Sequence, residues 1–162
     1  MKLSALALLA AGALAGAAHA QTFQVVDEAQ HATTLTAAQI ATLPRRTVEV
    51  ADHGVQHRYT GPLLLDVARA GGFSTTAIRG RELARPVSVA GSDGYTVTFG
   101  LGELDPETDP DLVILAIDED GQPIGAERGP LRLVVSRDAR PARSVRNAVR
   151  LTIGASLAPP AR

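Results

Sequence analysis

The sequence contains no cysteine and no tryptophan, and aromatic residues make up only 3% of it. Without cysteine there can be no disulfide scaffold, no thiolate nucleophile, no cysteine-ligated zinc and no iron–sulfur cluster. Stability must therefore come from an ordinary apolar core, for which roughly 140 residues suffice. Lysine is nearly absent too: Lys2 is the sole one, so every later basic residue is arginine. Leaving Lys2 aside, 15 arginines face 17 acidic residues. A chain with no basic excess is a poor candidate for nucleic-acid binding. No serine lies in a G-x-S-x-G elbow. The glycine-rich stretch Gly91-Ser92-Asp93-Gly94 precedes an alternating segment rather than a helix, which is the wrong setting for a nucleotide fingerprint. Beyond the first twenty residues no apolar run is long enough to span a bilayer.

At 162 residues the chain is sized for one domain. Its start reads as a secretory signal peptide over residues 1–20. Met1-Lys2 is a short positive region, Leu3 to Ala17 is rich in alanine and leucine, and Ala18-His19-Ala20 is an A-x-A cleavage site. Cleavage would leave Gln21 first and place the protein in the periplasm or outside the cell. Residues 21–154 are expected to form the domain, and 155–162, with Pro159-Pro160, a flexible tail.

Within the domain, short strands outnumber short helices. Phe23 to Val26 could be a strand. Thr36 and Gln39 have capping-box spacing ahead of a short helix that stops before Pro44. Thr47 to Val50 and Gln56 to Thr60 alternate around Asp52-His53-Gly54, predicting a hairpin. Leu63 to Ala70 is the clearest helix, with Pro62 at its start and Gly71-Gly72 at its end. Thr75 to Ala84 can be read as helix or as irregular connection. Pro86 to Ala90 and Tyr95 to Phe99 read as strands, Leu112 to Ile117 as a buried strand, and Leu131 to Val135 and part of Val145 to Ile153 as two more. Seven or eight strands with two or three helices, not regularly alternating, predict an α+β fold.

Chemistry-bearing residues fall into three groups. His53 and His57 suggest a metal ligand pair or a general base, or simply polar residues of a surface hairpin, since no third ligand is near them in sequence. Asp118-Glu119-Asp120-Gly121 suggests calcium, but it lacks the alternating ligands of a helix–loop–helix calcium site and also reads as a hairpin turn. Finally, Glu103 to Asp120 holds eight acids and no base, whereas Arg128 to Arg150 holds seven arginines and one acid, Asp138. Either these segments neutralise each other, or the arginines form an anion site.

Three ordered segments resemble a known family. The first is Tyr59-Thr60-Gly61-Pro62-Leu63-Leu64-Leu65-Asp66-Val67-Ala68-Arg69-Ala70-Gly71. The second is Gly91-Ser92-Asp93-Gly94-Tyr95 with Leu101-Gly102-Glu103-Leu104-Asp105-Pro106. The third runs from Asp120-Gly121-Gln122-Pro123-Ile124 through Gly129-Pro130-Leu131-Arg132-Leu133-Val134-Val135 to Ala142-Arg143-Ser144-Val145-Arg146. Together they resemble the molybdopterin-binding domain of the sulfite oxidase family, and more closely the small exported bacterial proteins that carry this domain alone. The resemblance implies a compact mixed-sheet α+β domain. In catalytic members a cysteine thiolate ligates molybdenum; the matching stretch here, about Val48 to Gly54, has none. The usual His-Gly reads Arg128-Gly129, and the Trp-Val-Lys-like segment reads Ser144-Val145-Arg146.

The resemblance therefore implies a non-catalytic binding or accessory module, for a small anion or for a periplasmic or membrane redox partner. The alternative it leaves is a molybdenum-cofactor-dependent oxidoreductase using a non-cysteine ligand or a partner subunit. Molybdopterin enters by resemblance only, and no catalytic residue or metal ligand is assigned. The candidate binding residues are Arg132, Arg143 and Arg146 as an anion pocket, with His53, Asp93 and Tyr95 beside them.

Overall fold

The structure is a computed structural model that describes residues 21–52, 54–74 and 77–156. The expected signal peptide, His53, Thr75 and most of the expected tail lie outside the described residues. In chain order the strands are β1 (Thr22–Val26), β2 (Ala32–Thr36), β3 (Arg45–Asp52), β4 (Val55–Pro62), β5 (Pro86–Gly91) and β6 (Thr96–Gly100). They continue with β7 (Val113–Ala116), β8 (Asp118–Glu119), β9 (Gln122–Pro123), β10 (Arg132–Val135) and β11 (Ala148–Ile153). Two α-helices, α1 (Ala37–Ala41) and α2 (Leu64–Ala70), lie between them. The fold is α+β, as the sequence predicts. None of the described helices is long and apolar enough to cross a membrane.

One sheet has five strands in the order β2-β1-β11-β5-β6, with β1 and β11 parallel and the other pairs antiparallel. The remaining strands fall into β10-β7 and β3-β4-β8-β9. These two groups are nearly continuous. Leu63 bridges Ile114, Ile117 donates its N–H to the Thr60 carbonyl, and Tyr59 lies opposite Glu119. Gly61 makes this seam possible: a Cβ there would collide with the Leu115 carbonyl.

Within the run Leu112 to Ile117, Val113–Ala116 forms β7 and is buried on both faces. Val113 and Leu115 of β7, with Leu133 and Val135 of β10, join the main core beneath α1, α2 and the five-stranded sheet. Ile114, Ala116 and Val134 point the other way, into a smaller cluster with Val48, Val50, Tyr59, Leu63 and Ile124. This is strand periodicity of two, with an apolar partner on each side. Truncating Leu115 to alanine there should cost about 2–5 kcal/mol. Arg132 shares the parity of Val134 and so enters the smaller cluster, where it is 3% exposed. That parity sets up the site below.

Local signals in the sequence are realised. Thr36 caps α1 by accepting from the Gln39 N–H, and the Gln39 side chain accepts from the Thr36 N–H at 2.8 Å. The β3–β4 hairpin forms over its full length. Asp120 and Gly121 have φ of 52° and 79°, the paired left-handed conformations of a type I′ hairpin turn. The ambiguous stretch before Arg85 closes with a 3-10 turn, Gly80–Ala84.

Candidate functional site

The N-terminal end of β10 puts Arg132 at the base of a cleft of about 260 Å³. Asp52 reaches the cleft from the end of β3. Asp93 and Tyr95 come from the turn before β6, and Ala142, Ser144 and Arg146 from the segment leading to β11. The Asp93 carboxylate accepts the Tyr95 N–H at 2.9 Å, which fixes the turn. The Tyr95 hydroxyl in turn donates to the Ala142 carbonyl, pinning the opposite wall. Arg146 is exposed and makes no ion pair among the described residues.

Arg132 is held from two sides. Its Nη1 donates to the Tyr59 hydroxyl at 2.9 Å, and its Nη2 lies 3.5 Å from Asp52 Oδ2. The guanidinium stacks over the Tyr59 ring, 4.9 Å from its centroid. Its Nε is buried with no hydrogen-bond partner among the described residues. A buried unmatched donor costs about 1–3 kcal/mol. The cleft therefore holds a guanidinium whose hydrogen-bonding capacity is only partly used.

The polar contacts continue inward. The Tyr59 hydroxyl donates to Glu119 Oε1 at 3.0 Å. Burial pushes the Tyr59 phenol up to about 12, opposed by the adjacent Arg132 charge. Arg128 Nη1 also reaches Glu119 Oε1, at 2.9 Å, and His57 Nδ1 lies 3.4 Å from it. His57 Nδ1 is closer still to Asp120 Oδ2, at 2.9 Å. The chain Arg132–Tyr59–Glu119–His57–Asp120 thus leads to a second cleft, of about 380 Å³, bordered by His57, Asp120, Glu49 and Arg58. The Arg58 N–H and His57 hold the Asp120 carboxyl below the usual carboxylate range.

Of the six candidate binding residues, Arg132, Arg146, Asp93 and Tyr95 meet in the first cleft. Arg143 does not line it. Its guanidinium is bound by Asp138 and by Glu103, the latter at 2.9 Å, and sits over the Phe99 ring. Those two carboxylates raise its pKa further. His53 lies outside the described residues. The two charged segments do pair with each other: Arg128 with Glu119, Arg137 with Asp111 and Arg143 with Glu103. Arg132 and Arg146 instead line the first cleft, Arg132 beside Asp52.

Sequence reasoning missed Tyr59, Glu119 and Asp52 as polar partners. Strand alternation already placed Tyr59 on the His57 side of β4, and their ring centroids are 6.2 Å apart. Glu119 could be found only through the register that sets it opposite Tyr59.

No protein-family model matches the chain, and no curated protein matches it in sequence. Among solved structures it resembles the sulfane dehydrogenase SoxCD from Paracoccus pantotrophus, with a TM-score of 0.63 and 16% identity. The match covers 83% of this chain and 38% of that one, so this chain spans well under half the length of its neighbour. At that identity the likeness concerns the fold alone, and it supports a sulfite oxidase-like fold. The residues present do not fit the thiolate-ligated molybdenum of the family's catalytic members. The chain has no cysteine, and Val48 and Val50, in the matching stretch, are buried in the smaller apolar cluster.

Proposed function

We propose that the protein is an exported, non-catalytic binding module that takes a small anion in the Arg132–Arg146 cleft. One observation carries this reading: two guanidinium groups border one cleft, and the exposed one has no ion pair among the described residues. Guanidinium forks match carboxylate and phosphate oxygens, and such charge-assisted bonds are about twice as strong as neutral ones. Asp52 and Asp93 set the limits. Asp93 is committed to its own turn, whereas Asp52 sits beside Arg132 and competes with any arriving anion.

The test is calorimetric titration of sulfate, phosphate and a small carboxylate into the mature protein. Arg146→Ala should weaken whichever anion binds by about tenfold, and Arg132→Lys by a similar factor. Arg146 is exposed, so its loss leaves the fold intact. Normal binding by both variants, or no binding by the parent protein, ends the proposal.

The likeness to a sulfane dehydrogenase favours a second reading, a redox module whose missing ligand comes from a partner subunit. Metal analysis of protein from its native source separates the two. Stoichiometric molybdenum would replace the first reading with the second. Export is tested by the mass of the secreted form, which should begin at Gln21.

A further inference from the structure

His57 and Asp120 line the second cleft, and the buried Glu119 lies against them, so an imidazole and two carboxylates from separate elements meet there. His57 comes from β4, Glu119 from β8 and Asp120 from the turn that follows. One ligand atom from each lies within 4.8 Å of the other two. His57 Nδ1 is 2.9 Å from Asp120 Oδ2 and 3.4 Å from Glu119 Oε1. A tetrahedral ion with bonds of about 2.0–2.2 Å needs ligand atoms about 3.4 Å apart, so only small side-chain shifts are required.

The surroundings hold each donor in place. Asp120 is fixed in its left-handed conformation by two hydrogen bonds with Arg58. Its Oδ1 accepts the Arg58 N–H at 2.8 Å, and its own N–H donates to the Arg58 carbonyl at 2.8 Å. That occupies Oδ1 and leaves Oδ2 directed at His57. Glu119 is oriented by the buried Tyr59 hydroxyl. Hydrogen bonds from outside a ligand set commonly fix ligand orientation at metal centres. Asp118, the remaining acid of the turn, faces Arg45 instead, at 3.4 Å.

We propose that His57, Glu119 and Asp120 bind a divalent first-row transition ion, with the adjoining cleft giving access for a further ligand. One nitrogen and two carboxylate oxygens, with no sulfur donor, suit zinc, cobalt, nickel or manganese better than calcium or magnesium. The facing cations define the competition. Arg58 is turned to Glu49, at 3.4 Å, and leaves the ligand atoms clear. Arg128 lies 2.9 Å from Glu119 Oε1, so it holds the place the ion would take. Its side chain is 46% exposed and can swing into solvent. The site does not depend on the anion cleft.

The experiment titrates untagged mature protein with Co²⁺, read by visible absorption, and with Zn²⁺, read by calorimetry. One equivalent should bind. His57→Ala and Asp120→Ala should each lower affinity at least tenfold, whereas His31→Ala, at a distant pair with Asp27, should leave it unchanged. Arg128→Ala should raise affinity, because it removes the competing cation. Circular dichroism confirms that each variant is folded. Absence of saturable binding, binding indifferent to His57→Ala, or weaker binding in Arg128→Ala would each overturn the proposal.

Discussion

The two clefts stand at opposite ends of one polar chain, and they hold charge in opposite ways. At the first, the buried group is a cation, Arg132, and its nearby carboxylate, Asp52, is a loose partner at 3.5 Å. At the second, the buried group is an anion, Glu119, and it is contacted closely by Arg128, Tyr59 and His57. A buried charge with spare hydrogen-bonding capacity invites a ligand of opposite sign. That is the ground on which an anion is proposed for the first cleft. The buried carboxylate beside the second already has the Arg128 guanidinium against it, so a metal must displace that cation. Tyr59 stands between: its hydroxyl accepts from Arg132 and donates to Glu119.

Tyr59→Phe breaks the comparison at its centre and should have the largest effect. The ring remains in the smaller apolar cluster, but Arg132 loses an acceptor and Glu119 a donor. Leaving buried polar groups unmatched costs about 1–3 kcal/mol each, so a clear fall in Tm is expected, measured by circular dichroism. The parent protein offers a spectroscopic control, because it has two tyrosines and no tryptophan. With its pKa raised to about 12, Tyr59 should stay un-ionised through pH 11 in an alkaline absorbance titration. The sign follows: a phenol kept protonated by the fold contributes stability that is complete below its unfolded value near 10 and fades as pH rises through 12. Ionisation of Tyr59 near pH 10 would contradict the buried linkage.

Asp52→Asn sharpens the contrast at the first cleft. Removing the competing carboxylate should tighten anion binding by about three- to tenfold, because both partners are largely buried and their attraction is little screened. Calorimetry against the parent protein reads the change. Unchanged affinity would mean that Arg132 contributes little to the cleft and that Arg146 acts alone.

Much of this arrangement could be read locally, and the part that could not is long-range. The Thr36–Gln39 cap, the β3–β4 hairpin, α2 and the doubly buried β7 each depend on neighbours within a few residues, and each forms where the pattern places it. Strand β2 was missed because it is an edge strand of mostly exposed threonines, with Leu35 its one buried side chain. Asp118-Glu119-Asp120-Gly121 reads as a turn, yet only Asp120-Gly121 turns the chain, and Asp118-Glu119 pairs with Gln122-Pro123 as β8 and β9. Arg143 looked like Arg132 in sequence, but Asp138, five residues earlier, captures it. The Arg132–Tyr59–Glu119 contacts span 60 to 73 residues, a distance no local pattern encodes. His57 lacked a third ligand in sequence, and the register of β4 against β8 brings Glu119 and Asp120 to it.

The smallest effect separates the clefts by pH. Asp120 is exposed, and its carboxyl is held below the usual range first by the Arg58 N–H and then by His57. A carboxyl whose folded pKa is depressed contributes stability that is present above its unfolded value, near 3.9, and is lost as pH falls through the lower folded value. Asp120→Asn keeps a residue tolerant of the left-handed turn but removes the charge. It should be slightly less stable than the parent at pH 7, and the two Tm curves should converge below about pH 4. The comparison turns on Arg146→Ala, which alters the first cleft without touching this carboxyl. Its offset from the parent should run parallel through the same acid range. If the Asp120→Asn curve also stays parallel down to the acid limit, the turn is held by its backbone alone, and the charge at the second cleft has no hold on the fold.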